Sequence, residues 1–428
     1  MTALARETTG GMLIRRLRSP AAWRETVDIF AVLTAASLPW STSLAGIFNA
    51  LMLLCMVPFL DVRAFLQSLK RPICIAPIAL VLLALVGTLW SDATWGARFY
   101  AVNPTIKLLV LPVLLYHFER STRGQWVFIA FLVSCALLSV MSWLVAFYPD
   151  LSLKTDPPER GIFVKNYIDQ SQEFALCAVA LAYPIVTLLR EKRYWFAGLL
   201  TALALGFFLN MTFVVVSRTA LVTVPVMFGV FALLHLKWRS IALISAALLV
   251  GAVLAWQTSP QLRNTAERFS SDYTRYMERG EPSSAGLRLE FWRKSLGFFV
   301  QAPIMGHGTG STRGLFERAA TPDGLYQASA EVIGNPHNQT LNVAVQWGVI
   351  GIAVLYAIWI LHLQLFRGEG LVNWIGLLVV VQNVFTSLFN SHLFDFHEGW
   401  MYVIGVGVAG GMVIRAQQGE AKMGEAGS

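Results

Sequence analysis

Apolar runs of about 20 residues, the length that crosses a bilayer core as a helix, recur along the whole chain. They fall near 26–41, 44–60, 72–90, 101–118, 124–147, 167–189, 194–216, 219–236, 239–257, 340–365, 371–391 and 398–414. The pattern predicts an all-α polytopic membrane protein of twelve transmembrane helices, with both termini on one side. Nine runs occupy 1–257 and three occupy 340–414, with a polar tail over 415–428. Between them, 258–339 is long and polar, with helical periodicity over 260–279 and 285–301. Leu287, Phe291, Leu296 and Phe298–Phe299 predict an amphipathic helix lying at the membrane surface. Pro303 and the glycines of Gly306-His307-Gly308-Thr309-Gly310 end it.

Composition excludes the two or three soluble domains that 428 residues would otherwise suggest. The chain is 56% hydrophobic and 14% charged, against about 25% charged in soluble domains, and its mean hydropathy is +0.57. Charge orients it. With a cytoplasmic N-terminus, the inside segments hold 18 Lys and Arg: Arg6, Arg15, Arg16, Arg18, Arg24, Arg63, Lys70, Arg71, Arg120, Arg123, Arg190, Lys192, Arg193, Lys237, Arg239, Arg367, Arg415 and Lys422. Short outside segments hold only Arg98, Lys107, Lys154, Arg160, Lys165 and Arg218. This is the positive-inside bias, and it puts both termini in the cytoplasm. The loop 258–339 carries nine more basic residues, which does not break the rule because long loops are translocated regardless of charge. The net charge of +8 therefore points to lipid and lipid-linked phosphate before nucleic acid. The basic N-terminus leads into a further hydrophobic run without a small-residue cleavage site, as an uncleaved first helix does. Cys55, Cys74, Cys135 and Cys177 lie in apolar runs with no CxxC pair, so they read as packing residues.

The chain has no Walker loop, HExxH, GxSxG or outside-facing DxD. An extracytoplasmic enzyme has no ATP, so a synthetic reaction there draws on a pre-activated donor, and a polyprenyl diphosphate supplies one. Its leaving group needs positive charge, from a metal or from arginines. Arg218 stands in an almost wholly apolar stretch, Phe213 to Val222, where an ionisable group is a functional candidate by default; a snorkelling arginine at a helix end is the structural alternative. Arg288 heads the amphipathic helix with the rigid fork that suits phosphate oxygens; a surface charge beside Glu290 is its alternative. In Asn335-Pro336-His337-Asn338-Gln339 the spacing predicts Asn335 as N-cap, Pro336 as first helical residue and His337 in the first turn. There the helix dipole, with nearby arginines pushing the same way, favours a neutral imidazole, suited to act as general base, although a loop-bonding interfacial histidine fits the same pattern. Glu159, Arg160, Lys165 and Asn166 bring two cations and an amide to the outer end of the sixth helix. His392, Asp395, His397 and Glu398 cluster in the last outside loop at a spacing of no established metal site. No metal and no cofactor is expected.

Together these pieces resemble the O-antigen ligase and O-antigen polymerase superfamily of bacterial envelope glycosyltransferases. The likeness rests on Ser217-Arg218-Thr219; on Arg288-Leu289-Glu290-Phe291-Trp292 leading to Pro303 and the glycine loop; and on Pro336-His337-Asn338-Gln339 followed by Gly348-Val349-Ile350-Gly351. Arg160-Gly161-Ile162-Phe163 with Asn166 is a looser match. The resemblance implies a GT-C type, metal-independent, inverting transferase of the inner membrane, working at the periplasmic face. Undecaprenyl-diphosphate-linked O-antigen would be the donor and the lipid A core the acceptor. Arg218 and Arg288 would hold the diphosphate, with Arg160, Lys165 and Arg268 as further basic contacts and Asn166 and Asn338 in support. His337 would deprotonate the acceptor hydroxyl. The nearest rival is the polymerase, with the same donor and a second lipid-linked glycan as acceptor. A lipid-linked-sugar transporter is a rival from another class, but transporters set ionisable groups near the midplane and often show related halves, and neither pattern is present here.

Overall fold

The computed structural model describes residues 19–154, 160–279, 283–320 and 331–426. Among them every element is helical, as the bilayer requires. A segment in lipid must satisfy its own backbone hydrogen bonds, and a helix does so alone. Helix α1 (Pro20–Ser37) pairs with α2 (Thr42–Met56). The short α3 (Val62–Leu69) meets α4 (Pro72–Val86) at a bend of 84°. Next come α5 (Trp95–Ile106) and α6 (Val110–Phe118), then α7 (Gly124–Phe147). They are followed by α8 (Tyr167–Ala180), α9 (Ala182–Arg190), α10 (Tyr194–Phe213), α11 (Arg218–His235) and α12 (Trp238–Thr258). The polar loop forms α13 (Pro260–Arg279), α14 (Ser284–Gln301) and α15 (Thr312–Arg318). Three helices close the chain: α16 (Gln339–Leu365), α17 (Leu371–Thr386) and α18 (Phe396–Ala426).

This is a polytopic α-helical membrane protein. A helix underlies each of the twelve apolar runs, yet among the described residues nine helices are long and apolar enough to cross a membrane, or ten with the bent α3–α4 pair taken as one span. The others fall short for plain reasons: α1 carries Arg24, Glu25 and Asp28, and α17 has 16 residues. The core lies where α6, α16, α17 and α18 meet, around Trp347, Trp374, Tyr402 and Phe118. At the other extreme, α12 buries no residue.

Two breaks explain how the bundle is shaped. Pro184 has no N–H to give the Ala180 carbonyl, and the Trp374 indole N–H takes that place at 3.3 Å. The second break corrects the reading of 340–365 as one continuous helix. Gly348 sits at φ 61°, ψ −153°, inside α16. The carbonyls of Val345 and Gln346 accept instead from His307 and Gly308, while Val349 and Ile350 donate to Pro303 and Ile304. A Cβ on Gly348 would lie 2.3 Å from the Ile304 carbonyl oxygen; only glycine allows this approach. The glycine loop is thereby stitched into α16, and Thr309 continues the seam to α4 through Gly87 and Ala84.

Contacts between loops sort them into two ends. Arg318–Asp92, Ser259–Thr212, Arg218–Asp272 and Gln339–Ser387 join the segments expected outside. Arg71–Glu119, Arg123–Glu25 and Gln418–Glu119 join those expected inside. Lys107, counted with the short outside segments, is not in a loop: it lies buried in the break between α5 and α6, and its ammonium donates to the carbonyls of Phe394 and Asp395 in the last segment expected outside.

Candidate active site

The outer end assembles around α14. Ser283 caps this helix by accepting from Gly286 N at 3.2 Å, and its hydroxyl donates to the carbonyl of Asp272 on α13 at 2.6 Å. Phe291 and Phe298 turn inward against Leu315, Phe316 and Val345, whereas Leu296 is 53% exposed on the opposite side. The apolar stripe expected from the sequence is thus divided between two faces. Glu290 is held by Arg293 at 2.7 and 2.8 Å. That leaves Arg288 outside the surface pair the sequence suggested, and among the described residues it makes no salt bridge. Burial lowers its pKa; nearby Tyr167 opposes this, and Arg218 adds to it by like-charge repulsion.

Arg218 is the first residue of α11, where the chain leaves Ser217 at the outer end. It bonds Asp272 at 3.0 Å, which ties α11 to α13 and so to the start of α14. The side chain of Arg268, one turn before Asp272, lies outside the described residues, as does Glu159.

His337 is not in the first turn of a helix. Asn338 is the N-cap of α16, accepting from Leu341 N at 3.0 Å, and His337 precedes it with φ 54°. Asn335, expected to be the cap, instead accepts the backbone N–H of His337 at 3.0 Å, a local turn around Pro336. A histidine in the left-handed region stores backbone strain of the kind that gathers at functional sites. Its ring stacks on Phe291, centroids 6.2 Å apart, one helical turn from Arg288. Its Nδ1 lies 2.9 Å from Asn390 Oδ1. The pKa is lowered, first by burial and then by the charge of Arg288, with the Asn390 contact opposing. Of the two causes the sequence offered for the neutral state, the helix dipole is absent and the nearby arginine is present, with burial as the larger cause.

The remaining residues separate. Lys165 points inward to the Leu38 carbonyl and to Glu173, 3.6 Å away, with 10% of its side chain exposed. Arg160 is exposed in the turn before Gly161. Asn166 caps α8 by accepting from Ile168 and Asp169, and donates to the Asp169 carboxylate at 2.9 Å. Asn338 donates to the Leu388 carbonyl.

Asp169 and Asn390 were missed by sequence reasoning, and both meet the cluster of His392, Asp395, His397 and Glu398 that it had noted. Asp169 takes a 2.5 Å contact from His397. Asn390 links His337 to Asp395, whose carboxylate accepts from the Asn390 amide at 2.6 Å. Burial pushes the Asp395 carboxyl up to about 6, against the pull of Lys107, and burial takes His392 down to about 4. His392 with one oxygen each from Asp395 and Glu398 spans less than 4.8 Å, a set of atom types that could hold a cation beside Lys107. An asparagine in a loop carries no local signal, so the only sequence clue to this cluster was the density of His, Asp and Glu over 392–398.

A family model described as O-antigen ligase matches residues 200–356. That segment contains Arg218, Arg268, Arg288, His337 and the broken helix α16 as far as Tyr356; Arg160, Lys165, Asn166 and Asn390 lie outside it. A search of curated proteins gave no match.

Proposed function

The chain belongs to the O-antigen ligase superfamily, and from that premise we propose that it transfers O-antigen polysaccharide from undecaprenyl diphosphate to the lipid A core. The reaction is inverting and metal-independent, at the periplasmic face of the inner membrane. Twelve crossings and a GT-C type architecture go with this reading. The observation that carries it is the stack of His337 on Phe291, one helical turn from Arg288, inside the matched segment.

In this mechanism the diphosphate enters where Arg288 and Arg218 repel one another. A dianion between two guanidinium groups relieves that repulsion and gains charge-assisted hydrogen bonds. His337, kept neutral by burial and by Arg288, takes the proton of the acceptor hydroxyl. The acceptor oxygen bonds the anomeric carbon as the bond to the diphosphate oxygen breaks, with inversion. The lipid diphosphate leaves with its negative charge held by the arginines. Arg160 and Arg268 serve as outer contacts for the donor, and Lys165 supports the fold through Glu173.

The test is transfer by the purified full chain, with undecaprenyl-diphosphate-linked O-antigen as donor and core-only lipid A as acceptor. Glycan attached to core, absent with His337→Ala, supports the ligase. Polymer that lengthens on the carrier without any acceptor core would make the chain a polymerase instead.

A further inference from the structure

We infer that Asn390 is a positioning residue which fixes the tautomer of His337, holding the proton on Nδ1 and leaving Nε2 as the acceptor. The inference rests on His337 being the base in the reaction above.

The argument starts from a group whose role is not adjustable. The backbone N–H of His337 can only donate, and it points at Asn335 Oδ1 at 3.0 Å. The Ser391 hydroxyl donates to the same oxygen at 2.7 Å. The other end of that amide, Asn335 Nδ2, must then be a donor, and it faces an Asn390 side-chain atom at 3.1 Å. That atom must accept, so it is Oδ1. The opposite end of Asn390 is Nδ2, which meets the Asp395 carboxylate at 2.6 Å. Turning the Asn390 amide over would set NH₂ against NH₂ at one end and carbonyl against carboxylate at the other. The orientation is thus determined from both sides, by a backbone donor at one end and a carboxylate acceptor at the other. His337 Nδ1 lies 2.9 Å from the same Oδ1. Two acceptors cannot share a hydrogen bond, so Nδ1 carries the proton. Only Nε2 then keeps a lone pair.

An amide differs usefully from a carboxylate in this position. A carboxylate on Nδ1 would orient the ring but also raise its pKa, so that more of it would be protonated at neutral pH. Asn390 orients the ring as a neutral acceptor, and although its hydrogen bond also favours the imidazolium it adds no negative charge, so burial and Arg288 still hold the pKa below its ordinary value. The other charged and titratable groups facing the ring are Arg288 from α14 and His392 from the loop of Asn390. Behind Asn390, Asp395 is surrounded by Lys107, Asp169 from α8, and His397 and Glu398 from α18.

The experiment measures transfer against pH for the full chain in detergent, using the same donor and acceptor, with donor binding measured in parallel. Asn390→Asp is close in size and places an anion at Nδ1. The acid limb of the profile should move to higher pH, with activity regained on the alkaline side and donor binding kept. Asn390→Leu removes the acceptor and should lower turnover at every pH, by at most the 10²–10⁴-fold that a general base is worth, with the donor KM little changed. If Asn390→Asp leaves the acid limb where it was while His337→Ala is inactive, the positioning role is wrong and the base reading survives. If Asn390→Leu turns over like the native chain, the role is likewise wrong. If His337→Ala remains active, the reading and the inference fall together.

Discussion

The two ends of the helix bundle both carry arginines, and they differ in what those arginines touch. At the inner end Arg71 makes a two-pronged bond to Glu119 at 2.8 Å on each arm, and Gln418 adds a third contact to that carboxylate. Arg123 meets Glu25 at 2.7 Å, Arg120 lies over the Tyr116 ring at 3.9 Å, and Arg415 donates to the Ser121 carbonyl. Each of these four arginines has an answering group, and the result is a seam between α4, α6, α7 and α18. At the outer end Arg218, Arg293 and Arg318 also meet carboxylates, of Asp272, Glu290 and Asp92, whereas Arg288 makes no salt bridge among the described residues and is opposed by the like charge of Arg218. Like charges brought together inside a half-buried site are unfavourable for folding alone. They become favourable when an anion arrives. The contrast between the ends thus comes down to Arg288, which on the proposed reading waits for an anion while the arginines around it are paired.

The strongest way to break this comparison is His337→Ala. Transfer should fall by about 10²–10⁴-fold while donor binding in nanodiscs stays intact, because the diphosphate is held by the arginines. If the variant lost the donor as badly as Arg288→Ala does, the histidine would belong to the diphosphate grip and the base would lie elsewhere. In the native chain, activity should be lost as pH falls through a pKa below the ordinary value of about 6.5, because burial and Arg288 both oppose the imidazolium. An acid limb centred above that value would contradict this.

Next comes Arg218→Lys, which keeps the charge but loses the fork. Removing a charge-assisted bond costs about 1.5–3 kcal/mol, so transfer should drop about ten- to a hundred-fold, nearly as far as with Arg218→Ala. Full activity in a folded, inserted Lys variant would reduce Arg218 to an anchor for Asp272. Arg71→Ala at the inner end should do the reverse. Turnover per folded molecule should hold while stability falls by about 1.5–3 kcal/mol, since Glu119 loses its two-pronged charged partner and keeps only Arg120, at 3.4 Å, and Gln418. A thermal melt in detergent beside a transfer assay separates the two effects. The smallest expected effect is that of EDTA, which should leave transfer unchanged. Loss of activity restored by Mg²⁺ or Mn²⁺ would overturn the arginine account and turn attention to His392, Asp395 and Glu398.

The helices themselves were determined by the sequence, because lipid leaves the backbone no alternative and runs of about 20 apolar residues have one stable form. The expected orientation rests on the count of Lys and Arg in short loops. Arg218, Arg288 and His337 stood out because ionisable groups beside apolar runs are costly without a purpose. What the pattern could not encode was which polar groups meet. Lys165 and Arg288 look alike in the sequence, both cations expected outside. Only the packing of α8 against its neighbours turns Lys165 toward Glu173 and Leu38. Gly348 reads as one more residue of an apolar helix, yet its left-handed φ is set by Pro303 to Gly308, some forty positions earlier. Asn390 lies 53 residues from His337 and has no feature of its own to mark it. Periodicity records burial, which each residue experiences locally through its place on a helix. A directional hydrogen bond between distant segments depends on where both have been carried, and that is decided only when the bundle closes.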